Sequence, residues 1–565
     1  MSNQEQTIVT DLLVVGGGIA GLNAALSAVE KNASVTVMDK AVIERSGHTA
    51  GGIDHFGAFL NTGPEWDTRE AYLDYTVQYS RGATRPEVVD RVYCDNLPQA
   101  MKRFEKIGVP LHRADGSYYR TRSYGQPGPW WINFNGKRLK PSFASAVRKA
   151  GCTVLDRVVT ADLLVNDGRV CGAVGFHIRS GECVVVKAKA VVVSTGGTNR
   201  LFTNPTGLSF NTWMCPANTG DGEAVSFRAG ASLANIEFLR MTVVPNGFGA
   251  PGLNALVGMG GILINGMGEA FMSRYHPDGM NSPRYKLVEA VITELKARRG
   301  PVYIDCRHLD PKALAHLVET LSFDKDTFGD FLAQKGVDLR QDLLEVAPSE
   351  GMQGGPNEVC GSGIRIDENC AATVPGLFAA GNCSDQNRSL HMAATSGLYA
   401  GYRAFEFAQR NGAAPEPPKG LVSDIKHRIY APTKGQGRTS WQAFEDSLQR
   451  IITESLGPTR SAWGFKLAAD RLERLAGWMD TVKCPTFHDL CRFQELYNIM
   501  TVAKCMLAAA SFRTESRFDL CHHRIDFPEQ DDENWQGQIV VRKGDGDVPD
   551  CRFNPLNYDA AKGGA

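Results

Sequence analysis

The chain lacks four things: cysteines at CxxC spacing, an apolar run of membrane-spanning length, an excess of either charge, and an internal repeat. Its 14 cysteines are scattered over 565 residues. Iron–sulfur clusters and structural zinc take clustered cysteines, so neither is expected inside this chain, and the cysteines read as small buried hydrophobes. Any electron relay then has to come from a partner or a diffusible donor. No apolar run approaches the ~18 residues of a bilayer span. Lys plus Arg number 61 and Asp plus Glu 62, a formal charge of −1, which excludes bulk attraction to nucleic acid or to an anionic membrane. The opening Met1-Ser2-Asn3-Gln4-Glu5-Gln6 has no basic stretch leading into an apolar one. A cytoplasmic location is the default expectation.

What the chain does have is glycine-rich turns behind apolar runs. Leu12-Leu13-Val14-Val15 leads into Gly16-Gly17-Gly18-Ile19-Ala20-Gly21. Ala190-Val191-Val192-Val193 leads into Ser194-Thr195-Gly196-Gly197, and a third turn spans Gly376 to Asn382. After the first turn, Leu22, Ala25, Leu26 and Val29 share a helical face, and Val35-Thr36-Val37-Met38 reads as a parallel strand ending at Asp39. An acid about twenty residues beyond the glycines completes a dinucleotide-binding βαβ unit. In that unit Gly16 permits the tight turn, Gly18 lets the backbone approach a pyrophosphate, Gly21 lets helix and strand pack, and Asp39 accepts from the adenosine ribose. Three such turns far apart in sequence point to one large dinucleotide, FAD, and so to redox chemistry.

The turns also divide the chain. Residues 1–234 form the first part of the nucleotide domain, 235–355 an insertion with a helix near 285–299, and 356–415 the second part. Pro415, Pro417 and Pro418 mark a linker. Residues 420–513 carry helical periodicity, exemplified by Leu467, Leu472, Leu475 and Trp478, and 514–565 form a polar tail with one short strand at Val540-Val541. Residues 153–193 read as a small antiparallel sheet returning to the main one. The expected class is α/β, a Rossmann-like FAD-binding domain with an inserted α+β domain and a C-terminal helical domain.

A set of further segments carries a family resemblance. Arg45-Ser46-Gly47, Thr219-Gly220-Asp221-Gly222-Glu223, Gly260 to Asn265, Pro283-Arg284, Glu515-Ser516-Arg517, Arg524 to Pro528 and Asp531 to Trp535 run in order over nearly the whole length. With the glycine turns, they make the chain resemble the flavoprotein subunits of the fumarate reductase, succinate dehydrogenase and adenylylsulfate reductase superfamily. The stretch Val42 to Gly47, the interval from Glu515 to Pro528, and Thr395-Ser396-Gly397 leading to Arg403 are most similar to the α chain of adenylylsulfate reductase.

The resemblance implies bound FAD, a capping domain over its isoalloxazine, a small anionic substrate and a separate ferredoxin-like iron–sulfur subunit. It extends the expected cofactor contacts to Lys40, Ser46, Gly47, His48, Gly51, Gly52, Thr195, Gly196, Gly197, Asp221, Gly381, Asn382, Ser396 and Leu398. His48 follows Ser46-Gly47 in a register that implies non-covalent FAD. Asn382 stands where the family usually has an acid. Arg284 is implied as a substrate clamp or proton donor, and His391, before a helix-like run from 396, as an acid or an anion-binding donor. Three positions depart from the family's substrate contacts, one on the fumarate branch and two on the adenylylsulfate branch. Glu358 replaces a substrate-binding histidine and would repel a dicarboxylate; Gly57 and Lys137 replace an asparagine and a glutamate of the adenylylsulfate branch. The aromatic run Trp130, Trp131 and Phe134 reads as core, as a pocket wall or as a docking face. A self-standing ene-reductase or dehydrogenase of an unsaturated or aromatic acid, and a non-catalytic flavin-binding subunit, remain alternative readings.

Overall fold

We describe a computed structural model of the chain, covering residues 5–122, 125–249, 253–324, 327–386, 388–435 and 437–556. Strand β1 (Glu5–Val15) is followed by helix α1 (Ile19–Val29) and strand β2 (Val35–Asp39). β1 and β2 pair in parallel with Leu12 opposite Val35. Both are buried at these positions, as the continuous apolar runs require of a sheet covered on both faces. On the outer side β2 pairs in parallel with β3 (Thr153–Asp156).

The antiparallel stretch expected to return to the main sheet is continuous with it. β4 (Val158–Asn166) and β5 (Arg169–His177) form a hairpin, and β5 pairs antiparallel with the first half of β6 (Cys183–Val193). The turn residues Asp167 and Gly168 both have positive φ, 49° and 71°, the geometry of a tight hairpin. β6 also runs parallel to β1 over its length, from Glu5 opposite Cys183 to Val15 opposite Val193. Its last residues pair with β7 (Leu377–Ala379). The seven strands thus make one mixed sheet of order β3-β2-β1-β6-β5-β4, with β7 beside the end of β6. All three glycine turns leave the same edge of it.

Helix α2 (Asp221–Arg228) starts at the Thr219-Gly220 turn. Within 243–348 the chain builds its own four-stranded antiparallel sheet, ordered Val243–Pro245, Leu344–Pro348, Val302–Asp305 and Ile262–Ile264. Helix α3 (Arg284–Lys296) lies in the same stretch, beginning directly after Pro283. Helix α4 (Leu390–Asn411) begins six residues before the periodic run at 396, because Ser389 caps it by accepting from the Met392 N–H.

Four longer helices follow the linker: Leu421–Lys434, Trp441–Leu456, Ala462–Ala476 and α5 (Phe487–Phe512). α5 opens with a capping box between Thr486 and Asp489. In Ala462–Ala476 the buried face is Phe465, Ala468, Leu472 and Leu475. Leu467 lies off that stripe and Trp478 beyond the helix end, and both are exposed. The tail forms the hairpin Gly537–Lys543 and Pro549–Pro555, whose first strand pairs with Leu233–Ala234. No helix among the described residues is long and apolar enough to cross a membrane.

Candidate functional site

The site grows from the end of β1. Gly16 has φ +99°, and a Cβ there would fall 2.6 Å from the Ser194 carbonyl oxygen. A Cβ on Gly21 would fall 1.9 Å from the Gly16 oxygen, so Gly21 acts in helix–strand packing and does not face the pocket. The start of α1 has no side-chain cap. Its first N–H groups therefore stay available to an anion, with the positive end of the helix dipole behind them. Asp39 accepts from the Gly17 N–H at 2.6 Å and from the Ala41 N–H at 2.7 Å. An uncapped helix start, a glycine turn that opens onto a pocket and an acid at the end of β2 are the features a dinucleotide requires.

The pocket runs from this turn along the sheet edge. It is lined by Gly16, Gly18, Asp39, Lys40, Ser46, Gly47, His48, Thr195, Gly196, Asp221, Gly381 and Asn382 of the residues expected at the cofactor. Gly51, Gly52, Gly197, Ser396 and Leu398 do not line it. Ser396 Oγ accepts from the Gly381 N–H at 3.1 Å and so shapes the third turn from α4. Gly52 has φ +131° and no room for a Cβ beside the Phe323 oxygen. Gly51 is exposed, and Leu398 is fully buried in α4. Lys40 pairs with Asp221 at 2.7 Å and with Glu495 of α5 at 3.1 Å, and those carboxylates raise its pKa against the downward pull of burial.

At the far end three buried arginines converge: Arg240, Arg284 and Arg388. Arg284 opens α3, and its guanidinium contacts Glu358 Oε1, which lies 3.6 Å from Arg240 Nη2. Burial pushes the Glu358 carboxyl up, but Arg284 and Arg240 outweigh it and hold the pKa below the usual value. Burial, then repulsion from Arg284, brings Arg240 down to about 10. Arg388 donates to the Ser362 carbonyl at 2.6 Å. Glu358 is thus the counter-charge of an otherwise strongly positive chamber. Tyr75, Trp131, Trp213 and Met352 wall this chamber. Trp130 is buried and also lines the pocket, donating its indole N–H to the Trp66 carbonyl at 2.8 Å, while Phe134 packs at 6.3 Å from Phe104.

His391 is buried in the same chamber, and both ring nitrogens have protein partners. Nδ1 accepts from the Gly57 N–H at 3.0 Å, and Nε2 lies 2.9 Å from Ser389 Oγ. Since Nδ1 accepts, the ring proton sits on Nε2 and points at Ser389. Burial, helped by nearby His55, pushes the pKa down to about 3. His391 is a neutral, doubly bonded side chain here, which supplies no proton near neutral pH. A different histidine has the geometry of an acid–base group. His55 Nδ1 lies 2.5 Å from Asp54 Oδ1, its ring stacks on Trp131 at 4.1 Å, and it lines the pocket beside Glu358. Sequence reading missed Asp54-His55, Arg240 and Arg388 because none sits in a glycine turn. The one available signal was strand alternation, which puts His55 on the same side as Gly57. Among the described residues no cluster of His, Cys, Asp or Glu is placed to hold a metal.

Comparison with known proteins bears on this arrangement. The FAD binding domain family model matches residues 11–397, and the fumarate reductase flavoprotein C-term model matches residues 445–562. An uncharacterized FAD-dependent oxidoreductase of Methanocaldococcus jannaschii is 28% identical, over 94% of this chain and 96% of its own. One chain of the CoM/CoB fumarate reductase of Methanothermobacter marburgensis is also 28% identical, over 94% of this chain and 97% of its own. Among solved structures, adenylylsulfate reductase of Archaeoglobus fulgidus superposes with a TM-score of 0.89 at 24% identity, over 99% of this chain and 98% of that one. E. coli quinol fumarate reductase superposes at 0.84 with 25% identity, over 98% of each.

Proposed function

The chain belongs to the FAD binding domain family of flavoprotein oxidoreductases, and from that premise we propose that it exchanges two electrons with a small anionic substrate held at Arg240, Arg284 and Arg388. The observation that carries this reading is the convergence of those buried guanidiniums on a pocket continuous with the three glycine turns. FAD supplies the hydride chemistry when bound. We assign residues 1–234 and 356–415 to holding it, 235–355 to capping its redox end, and 420–513 to bracing the two. His48 lines the pocket beside Gly47, and we take the cofactor as non-covalent.

The protein's own residues have separable roles in this scheme. Arg284 and Arg240 orient the anion, since a guanidinium fork matches a planar carboxylate or a tetrahedral oxyanion and stays protonated. Asp54 fixes the tautomer of His55, which then presents Nε2 as a proton donor or acceptor. The start of α4 directs its positive end into the chamber, which favours anionic reduced flavin. In this reading single electrons pass to or from a separate iron–sulfur protein, because the chain's scattered cysteines offer no cluster site of their own. Glu358 disfavours a second carboxylate beside Arg284, so fumarate is a poor candidate.

The test is stopped-flow reoxidation of the reduced holoprotein with fumarate and with aromatic enoates, and reduction of the oxidised holoprotein with AMP plus sulfite. One of these anions should exchange electrons with the flavin, and Arg284→Ala should slow it by about 100-fold or more. No reaction with any of them would favour the non-catalytic reading. Fast turnover of the isolated chain with NADH would remove the need for an iron–sulfur partner.

A further inference from the structure

Behind the first glycine turn lies a lysine with no part in the scheme above. Lys140, in the first turn of the helix Leu139–Lys149, is fully buried. Its ammonium donates to the Gly17 carbonyl and, at 3.4 Å, to Ser46 Oγ. The N–H of that same Gly17 donates to Asp39. Gly17 at the centre of the turn is therefore held through both its N–H and its carbonyl, while Gly16 and Gly18 on either side face the pocket. Among the described residues no carboxylate comes within ion-pair distance of the ammonium, whose partners are a carbonyl and a hydroxyl. A buried ammonium without a counter-ion is costly unless something anionic arrives. Burial brings its pKa down to about 8, against weaker upward pulls from Asp39 on β2, Glu44 in the following loop and Cys215 across the pocket. Glu44 is itself engaged by Arg148 at 2.7 Å.

We propose that Lys140 is the counter-charge of the cofactor's pyrophosphate, a positioning residue that braces the glycine turn from behind. This rests on the FAD reading. Backbone N–H groups and a helix dipole supply partial charges to a phosphate; Lys140 adds a whole one through the Gly17 peptide, shielded from water. A dianion seated on the pocket side of the turn would raise the pKa of the lysine. Binding of FAD above about pH 8 must then take up a proton.

The experiment is titration of the deflavinated full chain with FAD, by flavin fluorescence across pH and by calorimetry in two buffers of different ionisation enthalpy. The wild type is expected to take up a substantial fraction of a proton at about pH 9 and little at about pH 7, with affinity falling across that interval. Lys140→Met should weaken binding about tenfold or more at neutral pH and flatten the pH profile. Wild-type binding without extra proton uptake at the higher pH overturns the proposal, whether or not the variant folds. So does a Lys140→Met protein that keeps wild-type affinity and slope. A chain that binds no FAD at any pH would overturn the cofactor reading itself, a result distinct from these.

Discussion

Gly57 and His391, far apart in the chain, share one volume. A Cβ on Gly57 would lie 2.4 Å from the His391 ring, so the glycine is the condition for the histidine's placement. Glu358 and Arg284 are similarly tied: each is a buried charge that the other neutralises. A further single residue makes the pH dependence of the fold measurable. Glu223 in α2 is fully buried, and neither carboxyl oxygen has a hydrogen-bond partner. Burial pushes its pKa from 4.5 to about 8, with Arg388 pulling partly back. The native state thus keeps a proton that the unfolded chain releases. The resulting stabilisation is complete below about pH 4.5 and is lost as pH rises to about 8, at up to about 1.4 kcal/mol per pH unit. Thermal melts of the wild type should show this decline between about pH 6 and 8, and Glu223→Gln should remove its share of the slope. An unchanged slope in the variant would mean that Glu223 ionises normally.

At the level of elements, the contact between α1 and α4 decides where the third glycine turn sits. A Cβ on Gly397 would fall 2.1 Å from the Ala20 oxygen, and one on Gly401 2.3 Å from the Ala24 oxygen. The helices touch along their backbones, and Ser396, next to the first of those contacts, holds Gly381. Gly401→Ala is expected to push the helices apart, lowering stability by about 1–3 kcal/mol and loosening FAD. Denaturant midpoints and flavin release on dilution check both effects. The strands β1, β2 and β6 and the start of α3 were legible because continuous apolar runs and a proline before a helix are local signals. The extent of α4 and the pairing of β5 directly onto the first half of β6 were not. The first depends on one serine cap, the second on which strand β6 chooses as its neighbour.

Across the whole molecule, the nucleotide-binding and C-terminal parts are joined by a buried ionic network. Glu495 of α5 meets Lys40 at 3.1 Å and Arg200 at 2.6 Å, and Arg200 also meets Glu445 at 2.6 Å. Burial opposes ionisation of Glu495, but Lys40 and Arg200 bring its pKa down to about 2. Lys40 lines the pocket at the glycine turns, so the helical part reaches that pocket through this chain of charges. Glu495→Gln would leave Lys40 and Arg200 with a single carboxylate each where they now share another. The expected loss is about 3–5 kcal/mol, read as a drop in denaturant midpoint, with flavin lost before global unfolding. Flavin and fold lost together would show that the network does not act at the site specifically. The tail adds a second tie: its hairpin extends a sheet begun by Leu233–Ala234, a pairing across some three hundred residues of chain.

The sequence by itself determined the dinucleotide site, the FAD it holds and the family. Those rest on strand, glycine turn, helix and acid within one short stretch, where backbone conformation and apolar periodicity are local properties. It also marked Arg284, Glu358 and Gly57 as positions that matter. Only the tertiary structure decided what they do: Glu358 neutralises Arg284 and Arg240, His391 is neutral with both nitrogens engaged, His55 is the histidine paired with an acid, and Lys140 stands behind the first glycine turn. Charge pairing and proton affinity depend on through-space distance in a medium of low polarity, and these partners come from segments that only folding brings together.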